Sequence, residues 1–240
     1  MKFEKIGQPV RRLEDGRLLT GRGRFSDDWS LKNQAYMAVV RSPHAHARIR
    51  SVDTSDAENL PGVMAIFTGQ DCIADELSPI PHSPEPSTKY DMKLHGPGGS
   101  DVFIGNHMLL PADKARYVGE ALVVVVAETL AQAQDGADAV FIDFDPLPSV
   151  TDTKLSAEVG APVIWDEVPD NIPVETFFGD KEQTDAAFDA AAHVVEMEFH
   201  IDRVTGVPME PRAALGDYDT DTGRYTIYAG SGGSVRQKRE

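Results

Sequence analysis

The chain has 240 residues, 41% hydrophobic and 26% charged, so it can bury one large core or two small ones. A net charge of −16 repels phosphate backbones and anionic lipid, which argues against nucleic-acid and membrane-surface partners. Cys72 is the sole cysteine, which excludes intrachain disulfides and thiolate zinc or iron–sulfur sites, and the N-terminal MKFEKIGQPVRR has no apolar signal core; both fit a reducing, cytoplasmic setting.

Residues 8–20 are polar and basic, and Gly21-Arg22-Gly23 breaks them. Asp27 and Asp28 form a carboxylate pair that reads as a solvated turn before a strand at 35–40. His44 and His46 follow at a spacing that would align them on a strand. With no third ligand nearby, packing is the expected role and no metal site is assigned. Short strands are expected at 49–53 and 63–68, joined by the turn Asn59-Leu60-Pro61-Gly62. Prolines and glycines make 71–106 a long loop, with His82, His95 and His107 in or beside it at no metal-motif spacing. Residues 113–117 read as a short helical turn.

The stretch 117–148 organises the chain. Residues 122–127 are an unbroken valine-rich run, which suggests a strand covered on both faces. Thr129 caps a helix beside Glu128, with Leu130, Ala133, Ala137 and Val140 on one face. A second strand at 140–144 is stopped by Pro146 and Pro148, giving a βαβ-type unit. Proline and aspartate mark a boundary within 149–176. Beyond it Asp180 caps a helix whose apolar face carries Thr184, Phe188, Ala191 and Ala192. Residues 193–204 alternate as a long strand, and 215–218 and 224–228 flank a hairpin loop. The Gly-rich turn Gly230-Ser231-Gly232-Gly233 leads into helix-forming VRQKRE. Such a turn either offers backbone N–H groups to a phosphate or pterin or is a plain flexible turn; lacking a following Lys-Ser or Lys-Thr, it is no P-loop.

Several phrases together resemble one family. They are Leu18-Leu19-Thr20-Gly21 with 24–28, VRSPHAHARI at 40–49, Pro61-Gly62-Val63 with Thr68-Gly69, and Tyr117-Val118-Gly119-Glu120. Leu147-Pro148, Gly179-Asp180 and Met209-Glu210-Pro211-Arg212 complete the series. In order and number they resemble the start of the molybdenum-bearing large subunit of the xanthine dehydrogenase, aldehyde oxidoreductase and carbon monoxide dehydrogenase family. The resemblance implies an α+β (mixed α/β) fold. A hammerhead-like α/β domain occupies 1–150, a linker 151–176, and an incomplete molybdopterin-binding domain 177–240.

It further implies hydroxylation of an aldehyde, an N-heterocycle or a similar carbon centre, with water supplying the oxygen. Molybdenum–molybdopterin is the implied cofactor. The implied partners in an oligomeric complex are a [2Fe-2S] small subunit, an FAD-binding medium subunit and the remainder of the large subunit. The family's Gly-Gly-Gly-Phe-Gly segment and glutamate base do not occur in the chain, so it reads as a fragment without catalytic residues, inactive alone. Candidate cofactor-binding residues are Gly230, Ser231, Gly232 and Gly233, with Glu210 and Arg212 nearby. Met209-Glu210-Pro211-Arg212 lies near the active site by resemblance, or is an ordinary bulge with a surface Glu–Arg pair. Relatives place a Thr-Gln pair where Ser231 and Gly232 stand, and the resemblance implies that this glutamine approaches an oxygen on molybdenum. Two other functions fit the residues: a non-catalytic module that docks partner subunits, and a small metal hydrolase using His44 and His46.

Overall fold

A computed structural model describes residues 7, 9–81, 90–202, 204–231 and 233–239. In chain order the elements are α1 (Asp15–Leu18), β1 (Tyr36–Arg41), β2 (Ala47–Asp53), α2 (Ser55–Glu58), β3 (Val63–Thr68) and α3 (Gly69–Ala74). They continue with β4 (Lys114–Ala115), β5 (Ala121–Ala127), α4 (Leu130–Ala139), β6 (Phe141–Pro146), α5 (Lys181–Ala190), β7 (Ala214–Asp219), β8 (Arg224–Ala229) and α6 (Ser234–Arg239). Two compact units result: Ala35–Met197, and the N-terminal segment through Gln34 together with Glu198–Arg239.

The larger unit is built on the valine run. It forms β5, the middle strand of an antiparallel sheet ordered β1-β5-β3. Leu122, Val123, Val125 and Ala127 are buried. Thr129 Oγ1 accepts the Gln132 N–H at 3.3 Å and starts α4, as its sequence position predicts. Ala133 and Gly136 of α4 are buried, and Ala137 and Val140 pack against the core. A second antiparallel sheet, ordered β4-β2-β6, adds Ile49, Val52, Ile142 and Phe144. The turn at 59–62 forms as expected. Gly62 adopts φ +83°, and its carbonyl accepts the Glu128 N–H at 2.9 Å.

Four expectations need correction. β5, α4 and β6 do not make a βαβ unit: both edges of β5 are occupied by β1 and β3, so β6 pairs instead with β2 in the other sheet. Residues 113–117 are not helical. Lys114 and Ala115 are buried, and their backbone groups are satisfied by pairing with Arg48 and Ala47. The loop expected at 71–106 begins as α3, whose capping carboxylate Asp71 accepts both the backbone N–H and the hydroxyl of Thr68 at 2.7 Å. Residues 193–204, expected as a strand, join no β-ladder among the described residues, and their apolar side chains are exposed. Position 203 lies outside the described residues.

The passage 151–176 packs within the larger unit. Trp165 lies 5.6 Å from Phe103, centroid to centroid, and the Arg116 guanidinium sits 4.3 Å over its ring. The Glu175 N–H donates to His95 O at 2.8 Å, and Thr176 Oγ1 accepts the His95 N–H at 2.7 Å. Asp180 caps α5 as expected by accepting the Gln183 N–H at 2.9 Å, but the Phe188 face of that helix is exposed.

The smaller unit contains the expected hairpin, β7 paired antiparallel with β8. Its loop is organised by Asp219 Oδ1, which accepts the N–H groups of Asp221 at 2.9 Å and Thr222 at 3.2 Å. Tyr218 and Tyr225 stack across the strands at 4.5 Å.

Candidate functional site

Of the candidate residues, Gly230, Ser231, Gly233 and Glu210 lie together at the end of β8 in the smaller unit. Ala229 passes the chain into Gly230 and Ser231, and α6 begins at Ser234. Gly232 lies outside the described residues. Ser231 Oγ accepts the Gly233 N–H at 3.2 Å, and Gly233 takes φ +151°, a conformation that favours glycine.

Glu210 lies against this turn. A Cβ on Gly230 would come within 3.7 Å of Glu210 Oε1 and 3.2 Å of Ser26 Oγ, so the strand end approaches both closely. Glu210 is half-buried, and its Oε1 accepts the Ser26 hydroxyl at 2.9 Å and the Ser26 N–H at 3.2 Å. Within 209–212 the partner of Glu210 is Ser26, and Arg212 is exposed.

Ser26 is held by a short 3-10 turn, Ser26–Asp28. Asp28 Oδ2 accepts the Phe25 N–H at 2.9 Å, so one of the paired acids serves its own turn. Trp29 packs on Tyr228 of β8 with ring centroids 4.8 Å apart, and the Arg24 guanidinium lies 4.9 Å from the centre of the Trp29 ring. Residues 24–29 therefore brace the end of β8 just before the Gly-rich turn. The sequence points to Glu210 and the glycines but not to Ser26, Trp29 or Tyr228. The phrase Arg24-Phe25-Ser26-Asp27-Asp28-Trp29 was visible, but nothing local shows that it meets residues some 184 positions away.

The other candidates have packing roles in the larger unit. His46 is buried, with Nδ1 3.0 Å from Pro148 O, and the His44 ring meets Phe144 edge-on at 4.9 Å. Both lie in the connection between β1 and β2 rather than on a strand. Among the described residues no three metal-ligating side chains converge, and no helix is long and apolar enough to cross a membrane. A cavity of about 310 Å³ is lined by Phe103, Ile164, Trp165, Val168 and Asn171. The Asn171 amide is already committed, donating to Ser156 O and Pro162 O at 2.9 Å.

The turn fits an oxygen-rich cofactor along one edge only. Gly230, Ser231 and Gly233 are exposed, and a Cβ on Gly233 would meet nothing within 4 Å, so backbone there is approachable. The anionic Glu210 is engaged by Ser26 donors beside Gly230.

Residues 20–148 match the sequence profile of the aldehyde oxidase and xanthine dehydrogenase a/b hammerhead domain, and 164–238 match that of a molybdopterin cofactor-binding domain. The nicotine 6-hydroxylase large subunit of Paenarthrobacter nicotinovorans is 38% identical over 229 residues, covering 93% of this chain and 25% of that protein. The carbon monoxide dehydrogenase large chain of Afipia carboxidovorans is 30% identical over 239 residues, covering 95% of this chain and 27% of that one. Among solved structures, quinoline 2-oxidoreductase from Pseudomonas putida 86 aligns with a TM-score of 0.76 at 33% identity, over 92% of this chain and 26% of that chain. The chain thus spans about a quarter of the length of these relatives. With more than half its residues in the hammerhead match and the cofactor-binding match following in order, the chain belongs to the aldehyde oxidase and xanthine dehydrogenase family.

Proposed function

We propose that this chain forms the N-terminal part of the catalytic large subunit of a molybdenum hydroxylase acting on an N-heterocyclic ring carbon. The observation that carries the reading is the ordered pair of matches, hammerhead then molybdopterin-binding, across 20–238. The heterocycle follows from the names of two relatives, which act on nicotine and quinoline. In this reading the hammerhead domain lies within 1–150, 151–176 is the connection, and the cofactor-binding domain begins near 177.

Molybdenum–molybdopterin, when bound, supplies the centre that transfers a water-derived oxygen to carbon and accepts the electrons. This chain's own part is positional. Gly230 and Ser231 would present backbone N–H groups to the cofactor, while the Gly233 N–H is held by Ser231 Oγ. Glu210 and Ser26 hold the strand end that aims the turn, and Trp29 against Tyr228 braces it. Electrons would leave through [2Fe-2S] and FAD groups on partner subunits, in a cytoplasmic complex.

The test compares the 240-residue chain with a polypeptide that extends it by the region its relatives carry beyond the match. The oxidised, fluorescent form of molybdopterin should be released from the extended polypeptide and not from the chain alone. Molybdopterin on the isolated chain, or an extended subunit that carries molybdenum and hydroxylates no N-heterocycle, would overturn the proposal.

A further inference from the structure

Among the described residues, two buried side-chain nitrogens have no hydrogen-bond partner, His46 Nε2 and Arg116 Nε. Buried polar atoms are as a rule paired, so each calls for an explanation. His46 is 6% exposed and the Arg116 side chain 17%. The two atoms are opposite in kind. His46 Nδ1 lies 3.0 Å from Pro148 O, a carbonyl that only accepts, so the ring proton sits on Nδ1 and Nε2 is left as an acceptor. Arg116 Nε carries an N–H and only donates. The other guanidinium nitrogens are engaged: one donates to Lys114 O at 3.2 Å, and the other lies 3.5 Å from Asp113 Oδ2.

The strand register brings the two side chains together. β2 and β4 pair antiparallel through Arg48↔Lys114 and Ala47↔Ala115. The next step outward sets His46 opposite Arg116, with both side chains on one face of the sheet. The ladder stops there, because the Arg116 N–H turns away to Glu120 Oε2 at 2.6 Å. The strands therefore part at this step instead of closing on each other.

The unpaired atoms specify what fits between them. The occupant must accept from the Arg116 Nε–H and donate to His46 Nε2. An anion lacks the donor, and a metal cation lacks the acceptor. Water has both, and buried waters bridge polar groups that the protein does not join directly. We infer a buried hydration site at the parting of β2 and β4, in which one water accepts from Arg116 Nε and donates to His46 Nε2. The site joins two holds into one. His46 fixes the chain as it leaves β6, through Pro148 O and through the Leu147 N–H, which donates to His46 O at 2.9 Å. Arg116 holds the same passage further on, with its guanidinium 4.3 Å over the Trp165 ring. His46 and Arg116 are thus a positioning pair for 147–165, coupled through the water.

The test has two parts, both on the 240-residue chain. Long-range ¹⁵N–¹H NMR of the imidazole should find the proton on Nδ1 and Nε2 shifted as a hydrogen-bonded acceptor, with a cross-relaxation signal from water to the His46 ring. A proton on Nε2, or no water signal at the ring, would overturn the site. The second part is amide exchange at Leu147 in His46→Phe, Arg116→Met and the double variant. Each single change should speed exchange by about 10-fold, and the double change should speed it no further than the larger single effect. Single effects that multiply in the double variant would show two independent holds and overturn the coupling. Where a variant does not fold, the NMR of the unaltered chain decides by itself.

Discussion

Replacing Gly136 by alanine sets two effects of similar size against each other. Gly136 sits inside α4, where alanine is favoured over glycine by about 1 kcal/mol. Its missing Cβ is also where the helix touches the sheet. A Cβ there would lie 2.8 Å from Val125 Cγ1 and 3.2 Å from Val63 Cγ2, whereas carbon pairs settle at about 3.5–4.0 Å. Val125 cannot yield, because it is fully buried, β-branched and paired on both sides, to Ala38 and Ile66. The helix must therefore rise from the sheet by roughly 0.7 Å, and overpacking of this kind costs about 1–3 kcal/mol. The steric effect wins, so Gly136→Ala should destabilise by about 1 kcal/mol net. In a Val125→Ala background the nearer methyl is gone, and the same substitution should become neutral or stabilising. Urea denaturation followed by far-UV circular dichroism measures all four corners of this cycle, with unchanged m-values confirming that the midpoints are comparable. If Gly136→Ala stabilises the otherwise unaltered chain, or destabilises equally in both backgrounds, the close packing of α4 on β5 is refuted.

Burial raises the pKa of Glu120, opposed by the Arg116 N–H that donates to its carboxylate at 2.6 Å and by the Arg116 guanidinium. The folded chain therefore holds the proton more tightly than the unfolded chain. The contribution is fully present below the unfolded pKa of about 4.3 and is lost as pH rises through the raised folded value. Glu120→Gln keeps an oxygen for the Arg116 N–H and does not titrate, so it should gain stability relative to the original chain as pH rises, measured as the difference in urea midpoint; parallel curves would refute this. Glu210→Ala removes the acceptor of both Ser26 donors and should cost about 1 kcal/mol after allowing for partial exposure. It should also speed proteolysis near residues 24–29, and its effect should be non-additive with Ser26→Ala; strict additivity would show that the two residues do not act together.

Much of the local structure was legible in the sequence because its causes are local. The valine run marked β5, Thr129 and Asp180 marked helix starts through hydroxyl and carboxylate caps, and the aspartates and glycine of 219–223 marked a hairpin turn. The ordered phrases from Leu18 to Arg212 were enough to identify the family. What the sequence did not disclose depends on meetings between distant segments. Periodicity predicts a strand but not its neighbour, so the split of β5 and β6 between two sheets emerged only when both edges of β5 proved occupied. The value of Gly136 lies in the absence of an atom, which has meaning only once Val125 stands opposite. Ser26 and Glu210 are 184 positions apart, and no spacing rule joins them. The segment 194–202 shows the same division from the other side. Its alternation is written in the residues, but a strand exists only when another backbone supplies its hydrogen bonds, and none of the described residues does so.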